Sequence, residues 1–185
     1  MSISAIQVHR WTRQEYERMV EGGVFHPEER VELIDGEILN MTPQGSLHAT
    51  AIRLAEDALR RVYTKGFDVR VQMPLALEEY SEPEPDISLV TGNPRDYREK
   101  HPSTALLIVE VADKTLLFDR EKKKRLYARN GIPEYWIINL VDGYLEVYRD
   151  PVGELYQFQT FLGPAESVSP LSNPLASLLI ADLLP

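Results

Sequence analysis

Cysteine is missing from all 185 residues, which excludes disulfides, thiolate metal centres and cysteine nucleophiles together. No apolar run approaches the roughly 18 residues a membrane span needs, so no membrane association is expected. The first residues carry no basic segment leading into an apolar one. No secretory signal is expected, and the cytoplasm is the default compartment. Glycine-rich phosphate loops, His-rich zinc spacings and a serine-nucleophile elbow are also missing. Positive charge is scarce, with 20 Lys and Arg against 29 Asp and Glu and a net charge of −9. That disfavours an indiscriminate polyanion binder, because DNA affinity rests largely on cations that neutralise phosphates.

What is present suffices for a core, since 43% of the residues are apolar, and one domain over residues 1–185 is expected. Charge is also distributed unevenly. Glu78, Glu79, Glu82, Glu84 and Asp86 form an acidic block. Arg120, Lys122, Lys123, Lys124, Arg125 and Arg129 form a basic one, offset by Asp119 and Glu121. Ala105 to Val111 is an unbroken apolar run apart from Glu110, and reads as a strand covered on both faces. Side chains alternate along a strand, so Glu110 shares a face with Ile108 and Leu106. A carboxylate there needs a cation, a metal or strong donors.

Local signals place the other elements. Thr12 to Glu15 is a capping box, with Trp11 and Tyr16 placed for a hydrophobic staple, and predicts a helix of about ten residues stopping at Gly22-Gly23. Asp35-Gly36 between two apolar runs predicts a hairpin, Val31 to Ile34 with Glu37 to Met41. Ser46 caps a helix reaching about Lys65, with Ile52, Ala55, Leu59 and Val62 as its buried stripe. Strands are expected over Phe67–Met73, with a continuation at Leu75–Leu77, over Asp86–Val90 and over residues 104–111. A helix follows from Asp119 to Asn130, then strands over Glu134–Asn139, Tyr144–Arg149 and Tyr156–Leu162. The class is α/β (or α+β).

The basic helix has an informative phase. Asp119, Lys123, Leu126, Tyr127 and Asn130 fall on one face, while Lys122 and Lys124 point about 100° to either side. Lys123 is therefore either a snorkelling surface residue paired to Asp119 or an ammonium aimed at an internal acidic site. Asp86 and Glu110 lie in strand segments, and two such carboxylates brought together need a divalent cation or a shared proton. Hard oxygen donors suit Mg²⁺ or Mn²⁺. His48 reads as a helix-start or packing residue, Gln72 as facing a neighbouring strand, and Tyr127, Tyr135 and Trp136 as core.

Taken in order, Glu32 to Ile38, Met41-Thr42-Pro43 with His48, and Glu82 to Asp86 form a distinctive series. It continues with Ile108 to Val111, with Asp119, Lys123 and Tyr127, and with Gly131 to Trp136. From about Tyr16 to the C-terminus this set resembles the Uma-two family of restriction endonuclease-like proteins, formerly a domain of unknown function, assigned to the PD-(D/E)xK nuclease superfamily. The resemblance implies a mixed sheet flanked by helices, with an N-terminal helix and hairpin and a divalent-metal site. It implies Asp86 and Glu110 as catalytic acids and metal ligands, Glu32 as a further ligand, and Lys123 as the catalytic lysine moved onto the helix. The activity implied is Mg²⁺- or Mn²⁺-dependent cleavage of DNA, by a homodimer if fold-level analogy holds. The chain departs from the usual pattern at Ala112, where the superfamily has its lysine, and Lys114 in Ala112-Asp113-Lys114-Thr115 is a rival to Lys123. Two other readings stay open: a non-catalytic interaction or DNA-binding protein on a nuclease-like scaffold, and a metal-dependent hydrolase of small phosphoesters.

Overall fold

The computed structural model describes residues 8–41 and 43–185; Thr42, part of the Met41-Thr42-Pro43 motif, lies outside them. Six strands form one mixed sheet in the order β3-β4-β5-β6-β7-β8. They are β3 (Phe67–Val71), β4 (Ile87–Thr91), β5 (Leu107–Ala112), β6 (Glu134–Asn139), β7 (Tyr144–Val152) and β8 (Leu155–Leu162). Every pairing is antiparallel except that of β5 with β6. A parallel pair needs a crossover, and here it is helical.

Both faces of the sheet are covered, which is why β5 has no exposed position. Leu107, Val109 and Val111 point towards α2 (Ser46–Val62) and the C-terminal tail, within a cluster that includes Ile52, Ala55 and Leu59. Ile108 and Ala112 point the other way, towards Leu126 and Tyr127 of α4 (Lys124–Arg129). Glu110 shares this second face. In the tail, β9 (Ser167–Val168) pairs with β10 (Leu178–Leu179).

The N-terminal part builds a smaller layer. Helix α1 (Arg13–Glu21) has the reciprocal capping box of Thr12 and Glu15. The hairpin of β1 (Val31–Ile34) and β2 (Glu37–Asn40) turns at Asp35 and Gly36, both at positive φ (53° and 77°), the backbone of a tight primed turn. Val31 and Leu33 pack on Tyr16, whereas Ile34 joins the sheet-side core. Glu32, on the Ile34 side, therefore faces the sheet.

Several boundaries differ from expectation. Ser46 is the first helical residue and Gly45 the cap, and α2 ends at Val62. Strand β3 stops at Val71 because Gln72 adopts a left-handed φ of 50°. Leu75 to Leu77 then forms a loop, with Leu75 N–H bonded to Pro83 O and Ala76 N–H to Pro102 O. Asp86 immediately precedes β4, and β7 runs on through Val152. The basic helix starts earlier, at α3 (Leu116–Phe118), and passes through a π-turn (Asp119–Lys123) before α4. Among the described residues no helix is long and apolar enough to cross a membrane.

Candidate active site

The register of β4 with β5 brings the acids together. Ile87 pairs with Val109, so Asp86, one residue earlier, sits opposite Glu110. Their contact is direct: Asp86 N–H donates to Glu110 Oε2 at 3.2 Å, and Val111 N–H donates to Asp86 Oδ2 at 2.8 Å. Asp86 Oδ1 meets Gln72 Nε2 at 3.2 Å and His48 Nε2 at 3.3 Å. Gln72 therefore faces the site, because the left-handed turn that ends β3 aims its side chain back across β4. His48, in the first turn of α2, also reaches the acid.

Lys123 comes from the π-turn and is buried. Its Nζ donates to Glu110 Oε1 at 3.0 Å and lies 3.3 Å from Glu32 Oε2. Tyr127 OH donates to the same Glu110 Oε1 at 2.6 Å. Residues four apart drift about 40° per step in a regular α-helix. The wider π-turn takes back much of that drift, keeping Asp119, Lys123 and Tyr127 on one line. The rival lysine, Lys114, is exposed at the rim, as is Asp113. Trp136, Tyr127 and Tyr135 are fully buried core residues, although the Tyr127 hydroxyl also reaches the site. Its spacing four residues beyond Lys123 is the sequence signal for that second role.

The electrostatics follow from one ammonium among four carboxylates: Glu32, Asp86, Glu110 and Asp119. Burial is the largest influence on Glu110 and raises its pKa; Lys123 offsets this in part, while Asp86, Asp119 and Glu32 add to it. Burial likewise pushes Asp119 up to about 6 against the pull of Lys123 and Thr115. For Lys123, burial acts to lower the pKa, but the surrounding carboxylates outweigh it and leave the ammonium well above its ordinary value. Asp86 goes the other way. Burial would raise it, but the His48 hydrogen bond and charge, Val111 N–H and Lys123 together hold it below the usual carboxylate value.

These groups line a cleft of about 370 Å³. Six carboxylates (Glu32, Glu84, Asp86, Glu110, Asp113, Asp119) face three cations (Arg30, Lys114, Lys123) there. The donor chemistry suits a hard divalent ion. The side chains stand turned onto Lys123 and onto backbone N–H groups, so among the described residues no three of His, Asp or Glu converge as a metal-ligand set.

Most of the basic helix is spent internally. Arg120 pairs with Glu146, Lys122 with Asp35 and Glu37, and Arg129 with Asp35 and Glu78. Lys124 lies 4.7 Å from the Tyr148 ring centroid. Arg125 alone of the six is exposed without such a partner.

Comparison with known families decides the relationship. Residues 13–180 match the model of the Uma2 family, described as "Putative restriction endonuclease". The chain belongs to the Uma2 family. Among solved structures, the Uma2 chain is similar to the "putative nuclease belonging to DUF820" from Anabaena variabilis ATCC 29413, with 18% identity and a TM-score of 0.69 over 93% of this chain and 96% of that one. At that identity the likeness establishes the shared fold. A search of curated proteins returned no match.

Proposed function

We propose that this Uma2 protein is a metal-dependent nuclease hydrolysing DNA phosphodiester bonds, with Asp86, Glu110 and Lys123 as catalytic residues. The observation carrying the proposal is the meeting of Asp86, Glu110, Glu32 and Lys123 at one end of the sheet, in a cleft whose carboxylates outnumber its cations two to one. Asp86, Glu110 and Glu32 would hold Mg²⁺ or Mn²⁺. A divalent ion held there supplies a water of lowered pKa and neutralises the phosphate.

The chain's own residues have distinct tasks. Gln72, His48 and Val111 N–H fix both oxygens of Asp86, so its orientation is set before substrate arrives. Tyr127, whose phenol stays protonated through burial and the Glu110 charge, holds Glu110 Oε1 beside Lys123. Lys123 remains an ammonium, which suits it to steadying charge on the phosphoryl oxygens and not to accepting a proton. Cleavage of a duplex takes two scissions, and a homodimer would offer one site for each strand.

Nicking of plasmid DNA with Mg²⁺ or Mn²⁺ by wild type, Asp86→Ala and Lys123→Ala tests this reading. Both variants are expected to lose about 100-fold or more, the scale of losing a major transition-state contact. Equal activity in all three overturns the proposal. A second reading, hydrolysis of a small phosphoester, is favoured by the acidic cleft and predicts turnover of a phosphodiester dye without any salt-dependent DNA affinity.

A further inference from the structure

The cleft that holds the acids also has an apolar wall, which hydrolysis of a phosphodiester does not by itself use. Leu39, Met41, Pro43 and Phe118 line it beside the carboxylates and Lys123. Register explains the hairpin's share of this wall. Leu39 pairs with Glu32, and directly opposed residues of an antiparallel ladder project from the same face, so the acid and the leucine enter the cleft side by side. Met41 lies two residues further on and projects the same way; its N–H, bonded to Arg30 O, carries the pairing one residue past β2. Phe118 ends α3, directly before Asp119 of the π-turn. Leu39, Met41 and Phe118 are each half-buried. Unlike Tyr127, Tyr135 and Tyr148, Phe118 meets no other aromatic ring among the described residues.

A phosphate group engages acids, metal and ammonium, and leaves the apolar wall in water. The nucleobase is the part of a nucleic acid that has an apolar face and a short tether to the phosphate. With three cations against six carboxylates among the described lining residues, the cleft draws little affinity from charge. Stacking of a base on an aromatic side chain adds affinity without any cation. A paired base inside a duplex has both faces covered by its neighbours and must leave the stack to reach such a wall. A cleft of about 370 Å³ is within the range of pockets that enclose a small molecule.

We infer that the cleft takes one whole unpaired nucleotide, with its base against Phe118, Leu39 and Met41 and its phosphate at the end held by Asp86, Glu110 and Lys123. The nucleotide belongs either to a single strand or to a duplex from which it is extruded. This inference rests on the nuclease reading and names the form of substrate that the site accepts.

Cleavage of oligonucleotides by the full chain with Mn²⁺ tests it. One single strand carries a run of intact nucleotides, and a second carries the same run as stable tetrahydrofuran abasic residues. Wild type is expected to cut within the intact run about tenfold faster than within the abasic run, the scale of one stacked base. Phe118→Ala is expected to reduce this intact-to-abasic preference about tenfold and Met41→Ala about threefold, whereas Phe118→Tyr keeps it. Met41→Ala keeps the test decisive if Phe118→Ala proves poorly folded by circular dichroism. A perfect duplex of the intact sequence is the third substrate. Slower cutting of the duplex identifies a single-strand substrate, and equal cutting with the base preference retained identifies extrusion. Equal cutting of intact and abasic runs by wild type overturns the inference and leaves the nuclease reading standing. So does a preference that the folded Phe118→Ala and Met41→Ala variants retain in full. Absence of any cutting that Asp86→Ala abolishes overturns the nuclease reading, and this inference with it.

Discussion

Lys123 is the residue whose removal has the widest consequences. Among the described residues it is the one cation within contact of both Glu110 and Glu32, so Lys123→Met leaves buried carboxylates uncompensated. Breaking a buried pair in this way costs about 3–5 kcal/mol, and the loss should be greater near pH 8 than near pH 5, where the acids can take up protons instead. Thermal melts at both pH values check this. If the same acids hold a divalent ion, millimolar Mn²⁺ should restore part of the melting temperature of the variant. Glu82 gives a prediction outside the cleft. Burial first, and the Glu17 charge next, raise its pKa from 4.5 to about 7, and its Oε2 is buried without a hydrogen bond. A raised folded-state pKa means a stabilising contribution fully present below about pH 4.5 and lost as the pH rises through about 7. Glu82→Gln should therefore be more stable than wild type near pH 8, by roughly 1 kcal/mol after allowing for hydration of the group, and nearly equal to it near pH 5. Urea melts of the pair at the two pH values give the comparison.

At the scale of elements, the hairpin and the π-turn are the two devices that deliver side chains to the sheet. The hairpin carries Glu32 and depends on its turn. Gly36 has φ +77°, and a Cβ there would lie 2.6 Å from Arg10 Cβ. Gly36→Ala is therefore both strained and crowded, and should cost about 1–3 kcal/mol. The urea midpoint should fall accordingly. Cleavage activity should drop with it even at temperatures where the variant stays folded, because Glu32 moves with β1. The π-turn acts on phase: without its wide winding, Asp119 and Tyr127 would not share a line with Lys123. Gln72 works at the level of a single residue, where an unfavourable φ is held by a hydrogen bond to Asp86 and by the loop that follows.

For the whole molecule, the balance of charge matters more than the fold. The basic helix is largely neutralised by the hairpin, by Glu78 and by Glu146. Among the described residues, three cations line the cleft. DNA affinity should therefore depend weakly on salt, with a slope of log K against log salt of about −2 to −3, near that expected for three phosphate contacts. A filter-binding or anisotropy series over salt concentration measures it. A steep slope near that of a strongly basic DNA-binding protein would show that the contacts lie on another face.

The sequence by itself determined the elements whose signals are local. The capping box of α1, the Asp35-Gly36 turn, the β5 run and the break at Gly131-Pro133 act between neighbours, so their physics is complete within a few residues. It also put Lys123 on the helix face it shares with Leu126 and Tyr127, and Tyr127 and Trp136 in the core, because helical and strand periodicity are properties of the chain alone. Only the tertiary structure decided what those faces meet. That Asp86 lies opposite Glu110 follows from the register of β4 on β5. That Lys123 and not Lys114 touches the acids follows from where the helix crosses the sheet. Gln72 and His48 reach Asp86 because a left-handed residue and a helix start, 38 residues distant in the second case, converge on it. The ion pairs that silence the basic helix belong to the same class: their partners stand far away in sequence, and charge counting along the chain does not reveal them. Local propensity is written in neighbours, whereas a site is written in contacts between elements that only packing brings together.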